Sequence, residues 1–222
     1  MEQLALPSAD VLERLPIFPL PDVVLFPGMV LPLIVFEPRY LEMVEASLAS
    51  HRFLGVPLLK PGYEPEYEGS PAIHSVMGLG RIIGDQKLPD GRISIIVQGV
   101  DRVRVQRELA ADEAYRLVGV SVLNIAAEDR SWDDECAMLR QLVHQLAERL
   151  PAVGAVIDQV LALSPTPHQM ADLLAAYLIG DAEMRQSLLE ESSEANRFVR
   201  LTQLVADMLL QVSAELSQGA AN

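Results

Sequence analysis

From residue 15 to about residue 125, apolar residues come in short β-branched runs cut by proline and glycine. Beyond residue 126 they recur at steps of three and four, with proline and glycine at the segment ends. Alternation suits strands that bury one face, and a period near 3.6 suits helices that bury one stripe. The first stretch therefore predicts strands over 17–20, 29–36, 53–59, 75–83, 92–98, 102–109 and 115–123. One helix interrupts them: Pro38 suits a first helical turn, and Leu41, Val44 and Leu48 follow at helical spacing. Leu88-Pro-Asp-Gly91 predicts a hairpin turn, since proline presets φ and glycine accepts φ > 0. Ile93, Ile95 and Val97 then alternate with polar residues, Ile96 being the exception.

The second stretch predicts a helical bundle. Ser131 with Asp134 has the spacing of a capping box, and Trp132, Cys136, Leu139, Val143, Leu146 and Leu150 follow as one stripe, stopped by Pro151. Val153, Val156, Ile157, Val160 and Leu161 give a second helix. Thr166-Pro-x-Gln169 caps a third, with Met170, Leu173, Leu174, Tyr177 and Leu178 on one face. Asp181 caps a short fourth, and Phe198, Leu201, Val205, Met208 and Val212 define a long last one. The expectation is an α+β chain. A polar tail (1–14) precedes a β-rich domain (15–125), a helical bundle packed on it (126–216) and a second tail (217–222).

A length of 222 residues, half of them hydrophobic, is enough for a buried core without disulfide or metal staples. A formal charge of −14 argues against general nucleic-acid or anionic-membrane binding, because phosphates are held by Lys and Arg. The longest uncharged run, residues 23–36, is broken by Pro27, Gly28 and Pro32 and is too short to span a bilayer. The N-terminus has neither the basic start nor the apolar core of a signal peptide, so a cytoplasmic protein is expected. Cys136 has no partner for an internal disulfide.

Most catalytic motifs fail on inspection. Lys60 and Lys87 follow Leu59 and Gln86, not the glycine that a phosphate-binding loop places before its lysine. Gly78-Leu-Gly80-Arg-Ile-Ile-Gly84 lacks the third glycine of a dinucleotide fingerprint and precedes a turn, so its glycines point to close strand packing or a bulge. Gly119-Val-Ser-Val-Leu123 lacks the closing glycine of a nucleophile elbow. His144 lies about 12 Å from Cys136 along one helix, which favours a packing cysteine over a thiolate nucleophile. The four histidines do not stand in metal-ligand spacing, and no cofactor or metal is expected.

Binding chemistry remains. Phe26, Met29, Phe36 and Tyr40 are candidate apolar contacts for a peptide, each also a candidate for the core. Tyr63 and Tyr67 stand on a Pro/Gly-rich loop with Glu64, Glu66 and Glu68, a surface suited to peptides carrying apolar and basic groups, or else a loop packed by its own tyrosines. Arg102 and Arg104 share one face of a strand and are a candidate anion contact, the alternative being a solvated face with Val103 and Val105 buried behind it.

Leu15-Pro-Ile-Phe-Pro-Leu20, Val24-Leu-Phe-Pro-Gly28, Pro32-Leu-Ile-Val-Phe-Glu-Pro-Arg-Tyr-Leu41, Leu88-Pro-Asp-Gly91 and Val97-Gln-Gly-Val-Asp-Arg102 resemble, in order and spacing, the N-terminal substrate-binding domain of Lon protease in a short stand-alone form. The likeness continues more loosely through Met170-Ala-Asp-Leu-Leu-Ala-Ala176 and Gln186-Ser-Leu-Leu-Glu190. Met77-Gly78 departs from the family, which more often has glycine and then a small hydroxyl residue there. The resemblance implies a PUA-like pseudo-barrel followed by a helical bundle, and a role in recognising unfolded or hydrophobic polypeptide segments, alone or for a protease or chaperone machine. It does not imply catalysis, since the ATPase and Ser/Lys protease modules of full-length Lon fall outside this sequence. A monomer or weak dimer is expected. The alternatives are a small hydrolase assembled from residues distant in sequence, and a PUA-like RNA binder that would need Arg81, Arg92, Arg102 and Arg104 in one basic patch.

Overall fold

A computed structural model of the chain describes residues 5–110, 112–123, 131–164 and 166–219. The chain divides into two compact units, Met1–Leu123 and Asn124–Asn222. The expected junction near residue 126 lies outside the described residues.

The first unit is built on one antiparallel sheet. Its strands are β1 (Leu15–Pro16), β2 (Val30–Val35), β3 (Phe53–Val56), β4 (Val76–Lys87), β5 (Ile93–Leu109) and β6 (Leu117–Val122). The order is β1-β6-β5-β4-β3, with β2 also on β5. β5 carries β4 along one edge, while its other edge holds β2 over residues 93–98 and β6 over residues 103–109. The two strands expected at 92–98 and 102–109 are thus one long strand. Register shifts opposite Leu79/Gly80 and at Val105/Arg107 bend it, so a break in alternation read as a strand end is a bulge. The strand expected at 17–20 is reduced to bridges, Ile17 to Gly55 and Leu20 to Leu58. Those bridges, with Phe18 N–H donating to the Gly55 carbonyl at 2.8 Å, bring the chain after β1 against β3 and curl the sheet into a pseudo-barrel.

Two side-chain clusters fill it. One packs Tyr40, Met43 and Val44 of helix α2 (Pro38–Ala49) on Leu31, Val35, Ile93, Ile95 and Val97. The other joins Leu15, Ile17, Met77, Leu79, Val103 and Val118, with Val11 and Leu12 packed against it. Val11 and Leu12 belong to a short helix α1 (Ala9–Glu13) inside the expected polar tail, because two adjacent apolar residues suffice to dock one turn. The turn at residues 88–91 forms as expected, with Gly91 at φ 88°.

The second unit contains α3 (Asp133–Arg149), α4 (Pro151–Leu163), α5 (Pro167–Leu178), α6 (Ala182–Glu190) and α7 (Glu194–Gly219). Thr166 and Asp181 cap as expected, accepting from Gln169 N–H at 3.3 Å and Met184 N–H at 2.7 Å. At α3 the cap is displaced: the Ser131 hydroxyl accepts from Asp133 N–H rather than from Asp134. Trp132, Leu139, Val143, Leu146, Ile157, Met170, Leu174, Phe198, Leu201 and Val205 are buried, whereas Tyr177 is exposed. The Trp132 ring stacks on Phe198 at 5.0 Å and meets His168 edge-on. Beside them a buried ion pair joins Arg197 to Asp172 at 3.2 Å, a charged link that is tolerated in a core only because it is paired. α7 continues through Ser217, which the sequence assigns to a frayed tail; residues 220–222 lie outside the described residues.

Candidate functional site

The outward positions of β2 are apolar. Alternation turns Leu31, Leu33 and Val35 inward and Val30, Pro32 and Ile34 outward, with Ile96 of β5 directly opposite Pro32. Phe36 extends the outward series to the corner where β2 gives way to α2, and two-thirds of it (66%) is exposed. Pro38 occupies the first helical turn there, so the chain turns sharply and leaves the ring on the surface.

Phe36 forms one wall of a trough. A cavity of about 500 Å³ is lined by Phe36, Glu37, Pro38, Arg39, Tyr67, Glu68 and Ala114. A second, of about 290 Å³, shares Arg39, Glu68 and Ala114 with it and continues past Tyr40, Glu108, Glu113, Tyr115 and Arg116.

Arg39 organises this region. Its Nε donates to Glu37 Oε2 at 3.0 Å, and its remaining nitrogens reach the carbonyls of Tyr67, at 3.1 Å, and of Glu68 and Gly69, both at 3.4 Å. The guanidinium also lies over the rings of Tyr40 and Tyr67, at 4.7 and 5.5 Å. The Tyr67 hydroxyl donates to Glu37 Oε1 at 3.1 Å. The loop after β3 is thus tied to the start of α2 by one carboxylate and one guanidinium. Arg116 ties the loop's far end to β5 instead, gripping Glu108 through two bonds of 2.7 and 2.9 Å and donating to the Pro71 carbonyl at 2.8 Å. Those bonds hold the Glu108 carboxyl below its ordinary pKa. Burial pushes the Tyr40 phenol up to about 12.

The structure brings together only part of the expected contact set. Phe36 and Tyr67 share the trough, and Tyr63 stands beside Tyr67 with ring centres 6.1 Å apart. Tyr40 borders the trough but is a packing residue, 6% exposed, with its ring 4.3 Å from Phe18. Phe26 is wholly buried (0%), just before the turn at Pro27-Gly28, where Gly28 has φ 80°. Met29 is half-buried against the α2 cluster. The candidate anion contact does not form a surface pair, since Arg102 is 1% exposed while Arg104 lies outside. Arg102 is likewise unavailable to a basic patch with Arg81 and Arg92; Arg81 lies over the Phe53 ring and Arg92 pairs with Asp90. The sequence reading missed Glu37, Arg39, Tyr115 and Arg116. The available signal was Phe36-Glu-Pro-Arg-Tyr40, where an exposed ring and an ion pair meet at a helix start.

Among the described residues, no group of three or more metal-ligating side chains is assembled, and no helix is long and apolar enough to cross a membrane. The thiol of Cys136 is raised above its ordinary pKa, chiefly by burial, which disfavours the thiolate.

Comparison with known proteins places this architecture. The family described as the ATP-dependent protease La (LON) substrate-binding domain matches residues 14–207. Lon proteases of Desulfovibrio desulfuricans and Xanthomonas oryzae pv. oryzae are 32% and 30% identical over 98% and 91% of this chain. The chain spans only about a quarter of their length, 25% and 24%. Among solved structures, a Lon N-terminal domain protein from Xanthomonas campestris aligns with TM-score 0.61 at 28% identity, covering 87% of this chain and 97% of that one. The N-terminal domain of Mycobacterium avium complex Lon protease shares the fold at TM-score 0.69 and 21% identity, covering 88% and 99%. With an antiparallel pseudo-barrel followed by a helical unit, and the family's pattern running through both, the chain belongs to the LON substrate-binding domain family.

Proposed function

We propose that this chain is a non-catalytic binding module for exposed apolar segments of unfolded polypeptides, which it meets at the trough beside Phe36. The observation that carries the reading is the exposure of Phe36 at the end of an apolar strand face, next to Tyr67 and Pro38. A large aromatic side chain left in water costs free energy that a ligand recovers by covering it, and such rings are frequent anchors of binding. The family's description as a substrate-binding domain supports the same reading. The proposal includes delivery of the bound segment to a protease or chaperone machine in the cytoplasm, and the family's description as part of an ATP-dependent protease supports the protease. ATP hydrolysis forms no part of the proposal, since neither lysine of the chain stands in a phosphate-binding loop.

The test is calorimetric titration of the whole protein with one reduced, unfolded polypeptide. Phe36→Ala is expected to weaken binding by about 1 to 3 kcal/mol, the range for an aromatic anchor, with a nearly unchanged melting temperature. Tyr67→Phe, which keeps the ring and removes only the bond to Glu37, is expected to retain most of the affinity. Equal affinity of wild type and Phe36→Ala would remove the trough from the mechanism.

A further inference from the structure

The arginines of the trough are engaged by the protein itself. Arg39 is held by Glu37 and three carbonyls, Arg116 by Glu108 and the Pro71 carbonyl, and Arg14, at the trough's outer continuation, by Glu113. Each of them already faces a carboxylate of the protein. Three further acidic side chains make no ion pair among the described residues. Glu68 lies where the two cavities join, and Glu42 and Asp112 line the continuation beyond Glu113. The Tyr115 phenol on the same wall senses the result. Its pKa is raised first by burial and then by the charges of Glu113 and Glu42, against which Arg14 acts more weakly. One end of the trough is thus aromatic and the other electrically negative.

We propose that the trough selects extended polypeptide segments in which an apolar side chain stands close to a lysine or arginine. The apolar group covers Phe36, Pro38 and Tyr67, and the cation points toward Glu68 and the wall formed by Glu42, Asp112 and Glu113. This rests on the polypeptide-binding reading above and narrows it to a class of segment. The carboxylates act over short distances in exposed positions, so each contributes a small, salt-screened attraction, and their sum gives preference rather than high affinity. An acidic segment meets the same groups as repulsion, which makes the discrimination two-sided.

Three synthetic, unstructured peptides that share one Leu-Phe core and differ only in their flanking residues, lysine, glutamine or glutamate, test the proposal by fluorescence anisotropy. Binding is measured to the whole protein, to Phe36→Ala, and to a triple variant Glu42→Gln, Glu68→Gln, Asp112→Asn, with melting curves recorded alongside. The lysine peptide is expected to bind about fivefold tighter than the glutamine peptide, and the glutamate peptide weakest. The lysine advantage should vanish in the triple variant and near molar salt. Equal binding of all three peptides, or a lysine preference that the triple variant retains, would overturn cation selection and leave apolar capture standing. Failure of every peptide to bind the wild type, or an undiminished affinity of all three for Phe36→Ala, would overturn the underlying reading instead.

Discussion

Phe26 and Phe36 stand ten residues apart, each in a run of apolar neighbours, yet one is wholly buried and the other mostly exposed. The turn at Gly28 reverses the chain between them, and from there strict alternation assigns even-numbered positions of β2 to the outside. A side chain's fate is set by the parity of its strand position, not by its hydrophobicity. Arg39 illustrates the converse. As a charged residue it reads as a solvated one, but in the structure it joins the loop to α2 through four acceptors and two rings. Arg39→Ala is therefore expected to free the loop of residues 60–71, seen as faster amide exchange at Tyr67 to Gly69, and to cost about 1 to 3 kcal/mol in stability. Arg39→Lys should recover little, because an ammonium cannot match the planar fork. Unchanged exchange in the alanine variant would mean that the loop is held by its own packing.

At the scale of elements, β5 shows where pattern reading falls short. Seventeen residues form one strand that serves three partners, and its bulges interrupt the alternation that marks a strand in sequence. Glycines make the crowding possible. A Cβ at Gly99 would run into the Phe26 carbonyl oxygen, and one at Gly78 into that of Leu25, so the segment before β2 lies directly on the sheet backbone. At Gly84, by contrast, the nearest atom to such a Cβ is Ile96 Cδ1 at 3.5 Å, an ordinary contact. Gly99→Ala should thus destabilise by about 3 kcal/mol or more, while Gly84→Ala should be neutral or stabilising by up to about 1 kcal/mol, both read from thermal or denaturant unfolding. Similar stability of the two variants would mean that the sheet yields where the packing says it cannot.

At the scale of the molecule, each unit has its own core. All residues that form the trough, from Arg14 to Arg116, lie in the first one. A fragment of residues 1–123 is accordingly expected to unfold cooperatively and to bind the lysine peptide within about twofold of the whole protein, by circular dichroism and anisotropy. A fragment that is unfolded, or folded without affinity, would show that the helical unit is needed for the site. The match across residues 14–207 extends over both units, so the family is defined by the pair and not by the barrel alone.

By itself the sequence determined what local physics can determine. The change of period separated strands from helices, proline and glycine marked the turn at residues 88–91, and Thr166 and Asp181 announced two helix starts through their short oxygen-bearing side chains. It also offered Phe36 and Tyr67 as contacts, though without means to separate them from Phe26, Met29 and Tyr40. Tertiary structure alone decided that Phe26 and Tyr40 are buried and Phe36 exposed, since burial depends on which strand lies opposite and which loop lies above. It likewise decided that two apparent strands are one, and that Arg102 is interior while Arg104 is not. The trough is of the same kind: its walls come from the corner after β2, from the loop after β3 and from the segment that joins β5 to β6. No local pattern encodes their meeting, because the free energy that brings them together comes from the barrel core and not from the trough residues themselves.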